Sequence, residues 1–97
     1  MSINKNSNGN ENILEISKTA VPVFTSGFYK SIVDKAPQGG KVKCSSTGDL
    51  SVHYVGDAAG TYRTLTVVDA NVWLSDRIDE IQEAGTTVPI ANILFGW

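Results

Sequence analysis

The chain reads as all-β: a small β-sandwich or jelly-roll-like barrel with a flexible N-terminal arm. Two observations lead there. Leu50-Ser51-Val52-His53-Tyr54-Val55 alternates apolar and polar residues, with Leu50, Val52 and Tyr54 on one face and Ser51 and His53 on the other. Short β-branched segments recur along the chain, separated by Gly, Asp and Asn turns, which is the pattern of a sandwich or barrel. Ninety-seven residues hold one core, so the domain boundaries are an arm at 1–12 and one domain at 13–97. Chains this short commonly gain stability by oligomerising or docking on a larger surface.

The arm alternates Asn4, Asn6, Asn8, Asn10 and Asn12 with Ser, Gly, Lys and Glu. With only Met1 and Ile3 apolar it cannot offset the entropy of ordering its backbone, and it is expected to be flexible in isolation. Ile13-Leu14-Glu15-Ile16 opens the ordered part, and Ala20–Phe24 follows as a strand that Pro22, lacking an amide donor, confines to a sheet edge or bulge. Phe28–Val33 has strand composition, and Asp34–Gly40 is a loop broken by Pro37 and paired glycines. Lys41–Ser45 is the next strand, joined to Leu50–Val55 by a hairpin-like connection at Thr47-Gly48-Asp49. Gly56–Gly60 turns the chain into Thr61–Val68, Asp69-Ala70-Asn71 breaks it, and Val72-Trp73-Leu74 resumes. Thr86–Phe95 closes as a strand whose start Pro89 interrupts.

Segment 75–84 carries two signals. Leu74, Ile78 and Ile81 share a helical face, Ser75 can cap, acids fill the first turn and Gly85 can end a short helix. As a strand, Ile78 and Ile81 point to opposite faces unless a bulge intervenes. Local signals favour a short helix at 75–84; the all-β neighbourhood favours a strand.

The chemistry-bearing residues are few. A net charge of −2, with scattered Lys and Arg, lacks the basic stripe of a nucleic-acid binder. Cys44 is the one cysteine and reads as a small buried hydrophobe on its strand. His53 is the one histidine, so no His-based metal cluster or structural zinc site is expected, and His53 reads as a solvated residue on the polar strand face. Ser51 or Ser75 could be drawn with His53 into a triad, but no Gly-x-Ser-x-Gly elbow is present. Asp76, Asp79, Glu80 and Glu83 match no calcium loop and read as a solvated acidic face. The Gly-rich turns lack the Lys-Ser or Lys-Thr of a phosphate loop. The expectation is a non-enzyme without cofactor or metal. No apolar run is long enough to span a bilayer, and residues 1–6 do not resemble a secretory signal.

The order Gly48-Asp49-Leu50-Ser51-Val52, a turn, a strand ending at Val67-Val68, Ile78 through Ile81, Ala84-Gly85-Thr86-Thr87 and a final aliphatic strand closing on an aromatic resembles small tailed-bacteriophage virion proteins of the head surface. These are β-sandwich proteins of the head-spike or fibre-base and capsid-decoration type. The resemblance covers roughly residues 46–97; Asp69-Ala70-Asn71 and Leu74-Ser75 stand where such proteins often carry a Pro-Ala-Gly-like turn and a proline. It implies a strand at Asp76–Glu83, a turn at Gly85-Thr86-Thr87, synthesis in a host cytoplasm and residence in the virion. The implied role is a decoration (cement) or head-spike/fibre-base subunit, with the major capsid protein or other virion proteins as partners and a homo-oligomer as the assembly. Neck or tail attachment is the alternative, as is a carbohydrate-binding or adhesin-like module using Tyr54, Tyr62 and Trp73. Expected interface residues are Ile3 and Asn4 of the arm, Pro37 of the 34–40 loop, and Phe95 and Trp97 of the closing strand, where Trp97 either folds into its own core or anchors an interface.

Overall fold

The computed structural model describes residues 16–97; the arm and residues 13–15 of the first expected strand lie outside them. The described strands are β1 (Thr19–Ala20), β2 (Phe28–Lys30), β3 (Lys41–Cys44), β4 (Gly48–Tyr54), β5 (Arg63–Val67), β6 (Ile78–Gln82) and β7 (Ile93–Gly96), with short 3-10 turns at Ser31–Asp34 and Ile90–Asn92. They form two antiparallel sheets, ordered β1-β7-β3 and β2-β6-β4-β5. The small all-β fold expected from the alternation is the fold observed.

Alternation explains the core directly. Val42, Cys44, Ile93 and Phe95 point inward from one sheet; Tyr29, Leu50, Val52, Val67, Ile78 and Ile81 point inward from the other. The Tyr29 and Phe95 rings meet edge-on across the interface at 5.2 Å. Each large side chain so buried contributes about 1.5–3 kcal/mol, the dominant favourable term in a domain this small. On the opposite, outer face of the four-stranded sheet, register aligns Phe28, Gln82 and Ser51 in one row and Lys30, Glu80 and His53 in the next.

Segment 75–84 is not a helix. β6 runs through it, hydrogen-bonded to β2 on one side and β4 on the other. Val52 pairs with Ile81, His53 with Glu80, and then Tyr54 with Ile78, so Asp79 is an extra residue without a cross-strand partner. That bulge turns Ile78 and Ile81, three positions apart, to the same face, and both are wholly buried. Three-residue apolar spacing suits a helix and a bulged strand equally. Two flanking strands satisfy the backbone of a central strand, whereas an isolated short helix satisfies little of its own.

Other expectations shift in informative ways. Thr47-Gly48-Asp49 is not a hairpin, because β3 and β4 belong to different sheets; β3 pairs instead with β7, Cys44 opposite Ile93. The strand expected over Phe28–Val33 ends at Lys30. Its continuation winds into a 3-10 turn closed by Ser31 Oγ donating to the Ala36 carbonyl at 2.6 Å and by Lys35 in the left-handed region. Tyr29 donates its hydroxyl to Asp34 at 2.5 Å and braces the same turn. β1 stops at Ala20, short of a buried Pro22. Val72-Trp73-Leu74 contributes a single bridge, Trp73 to Lys43, and the closing strand begins only at Ile93, after the turn at Ile90–Asn92.

Gly40 is the corner between the sheets. Its amide and carbonyl both bond Ile78 at 2.8 Å before the chain enters β3 of the other sheet. A β-carbon there would run into the Gly96 carbonyl oxygen and the Phe95 ring. Gly40→Ala is therefore expected to destabilise the protein by about 3 kcal/mol, read as a lowered urea midpoint. An unchanged midpoint would mean that the corner has room to relax.

Candidate functional site

The polar concentration of the fold lies on the outer face of the four-stranded sheet, where strand alternation places His53 and Glu80 as a cross-strand pair. Regular pleating would send Asp79 to the other face. The bulge redirects it, so two adjacent carboxylates reach one imidazole. His53 Nδ1 lies 2.5 Å from Asp79 Oδ1. Its Nε2 lies 3.1 Å from each of two backbone carbonyls, those of Asp57 and Ala58.

Those carbonyls belong to the loop joining β4 to β5, which folds back over the sheet. The loop is held by the Asp57 amide on the Tyr54 carbonyl, by the Thr61 amide on the Ala58 carbonyl, and by Arg63 Nε donating to Asp57 Oδ2 at 2.8 Å. At its end Tyr62 lays its ring between Phe28, at 5.6 Å, and His53, at 6.2 Å, and donates its hydroxyl to Glu80 at 2.5 Å. His53 is thereby only 6% exposed.

This corrects the solvated reading of His53. The outer strand face is polar, but a loop covers it, and nothing in the alternation of β4 announces that cover.

The partners decide the charge state. A carboxylate and two carbonyls are all acceptors, so both ring nitrogens must donate, and only the imidazolium has two N–H groups. The hydrogen bond that His53 donates to Asp79 is the largest influence raising the His53 pKa, opposing the burial that lowers it, with the Ala58 carbonyl adding to the upward shift. His53–Asp79 and Tyr62–Glu80 thus stand side by side as two charge-assisted hydrogen-bonded pairs, with the Tyr62 ring 6.2 Å from the imidazole.

The acidic cluster splits in two. Asp79 and Glu80 are half-buried in this network, while Asp76 and Glu83 are exposed. Ser51 Oγ donates to Gln82 rather than to His53, and Ser75 lies exposed, so neither serine joins a triad with the histidine. Cys44 is wholly buried, as expected of a packing residue, and burial pushes its thiol pKa up, away from reactivity. Tyr54, Tyr62 and Trp73 do not share a surface. Tyr54 packs against the core, Tyr62 covers the outer four-stranded face, and Trp73 covers the outer side of the other sheet beneath Lys43.

Of the expected interface residues, Ile3 and Asn4 lie outside the described residues. Pro37 is exposed. Phe95 is fully buried in the core and cannot reach a partner. Trp97 is half-buried against that core, 5.8 Å from Phe95, and its backbone pairs with Lys18. The histidine–carboxylate constellation escaped the sequence reading. Its signal was the buried-strand spacing of Ile78 and Ile81, which requires a bulge and with it two adjacent acids on one face.

Removing the Asp79 carboxylate strands a buried imidazolium, so Asp79→Ala is expected to cost about 2 kcal/mol and Tyr62→Phe about 1 kcal/mol by urea unfolding. Equal, negligible losses would show that the network contributes nothing. The tyrosines set an alkaline limit. Burial and then the hydrogen bond to Glu80 push Tyr62 up to about 12, and burial and then Asp34 push Tyr29 well above the ordinary phenol range. A raised folded-state value means a stability contribution fully present below about pH 10 and lost as pH climbs through the folded values. Urea midpoints should therefore fall above about pH 10, and less steeply in Tyr62→Phe. A flat profile in that range would contradict it.

Compared with protein-family models, with curated proteins and with solved structures, the chain matches none.

Proposed function

We propose that this protein is a non-catalytic structural subunit of a tailed-bacteriophage particle, binding the capsid surface as a decoration (cement) or head-spike/fibre-base protein. Neck or tail attachment is the nearest alternative. The observation that carries the reading is how the surface is furnished: aliphatic side chains stand out on a turn braced by its own hydrogen bonds. Ile32 is 68% and Val33 61% exposed on the 3-10 turn that Tyr29, Ser31 and Asp34 hold rigid. A pre-organised apolar projection suits docking on another protein, because little ordering entropy remains to be lost on binding.

The resemblance over residues 46–97 supports the same reading. Its implied strand at Asp76–Glu83 coincides with β6, and its implied turn at Gly85-Thr86-Thr87 with a reversal in which Thr86 and Thr87 side chains bond the edge of β4. A glycan-binding role gains no support from three aromatics on different surfaces. Among the described residues no helix is long and apolar enough to cross a membrane.

Quantitative mass spectrometry of purified particles from the source tests the proposal. An amount about equimolar with the major capsid protein would identify a decoration protein, and a small minority copy number a spike base, neck or tail subunit. Absence from the particle would overturn the proposal. Ile32→Ser is expected to leave the unfolding free energy, read by urea titration, within about 0.5 kcal/mol of the parent while weakening particle association. Undiminished association would remove this turn from the docking surface.

A further inference from the structure

We propose that His53 Nδ1, Asp79 and Glu80 form a binding site for a divalent first-row transition-metal ion of the Zn²⁺ type. One ligand atom from each residue lies within 4.8 Å of the other two. The set combines one imidazole nitrogen with two carboxylates, a donor mixture suited to zinc and its neighbours rather than to the all-oxygen coordination of calcium or magnesium.

The arrangement around the ring supplies a second, independent observation. Metal-bound imidazoles characteristically anchor their remote nitrogen by an N–H bond to a carbonyl or carboxylate. Here Nε2 is anchored on the carbonyls of Asp57 and Ala58 at 3.1 Å, which leaves Nδ1 directed at the carboxylates. Tyr62 orients Glu80 by donating to Oε1 from the covering loop, so the carboxylate retains its second oxygen.

Charge points the same way. Two carboxylates face one imidazolium, leaving one negative charge in excess. Arg63 is engaged by Asp57, and Lys30, the cross-strand neighbour of Glu80, makes no ion pair among the described residues. On binding, the Nδ1 proton passes to solvent and the ion takes its place between Nδ1 and Asp79, with Glu80 as third ligand and water completing the shell. The site is then neutral. With bonds of about 2.0–2.1 Å, tetrahedral ligands stand about 3.3 Å apart, so the Nδ1–Oδ1 pair, at 2.5 Å, opens by under 1 Å. Asp79 has no cross-strand partner to resist that movement.

The test is titration of the full chain with Zn²⁺ at about pH 8, followed by calorimetry and by the ¹⁵N signals of the His53 ring. Saturation near one equivalent, a large change at Nδ1 and a retained Nε2 proton are expected. Glu80→Gln keeps the His53–Asp79 pair and an acceptor for Tyr62, so it should fold, and it is expected to weaken Zn²⁺ binding at least about tenfold. No saturable binding up to about 1 mM Zn²⁺ would overturn the proposal. So would full affinity in Glu80→Gln with an unchanged His53 ring, which would place the ion elsewhere, as at exposed Asp76 or Glu83.

Discussion

One extra residue in β6 governs both sides of the four-stranded sheet. Asp79 has no partner on β4, and the strand kinks to accommodate it. Inward, the kink lets Ile78 and Ile81 fill the core together, and Ile78 also carries the Gly40 bridge by which the chain crosses to the other sheet. Outward, it delivers adjacent carboxylates to His53. A regular strand would bury one isoleucine and expose the other, and would split the acids between faces. Core, corner and polar network therefore share a single backbone irregularity.

The outer network also explains how a seven-residue strand tolerates a buried imidazolium at its end. Its cost is offset only if every polar atom finds a partner. Asp79 supplies the countercharge, the returning loop supplies two carbonyls, and Tyr62 closes the remaining side while bonding Glu80. The loop in turn is tied down by Arg63 on Asp57 and so acts as part of the sheet rather than as a free connection. Ile32 and Val33, by contrast, stand exposed on their turn, as do Val23 and Val68 elsewhere on the described surface.

Much of the fold was legible in the sequence because period-two alternation encodes it. Leu50 and Val52, Val42 and Cys44, Ile93 and Phe95 all bury as their spacing requires. What stayed hidden is set by tertiary partners. The chain around Thr47-Gly48-Asp49 has hairpin chemistry, yet it crosses between sheets because Cys44 finds Ile93 as its neighbour. Ile78 and Ile81 imitate a helical face because a bulge restores a spacing of three. His53 stands on the polar face its strand position dictates, but its burial depends on a loop folding over it, which no local pattern specifies. The site was hidden for the same reason: its residues lie on two strands and a loop, brought together by long-range register.

The most direct test of this account is the cross-strand nuclear Overhauser pattern of β4 and β6 in solution. The account predicts contacts of Val52 with Ile81, His53 with Glu80 and Tyr54 with Ile78, skipping Asp79. Sequential helical contacts across residues 75–84, or an unbroken register pairing Tyr54 with Asp79, would contradict it, and with the bulge would go both the shared isoleucine face and the carboxylates' approach to His53.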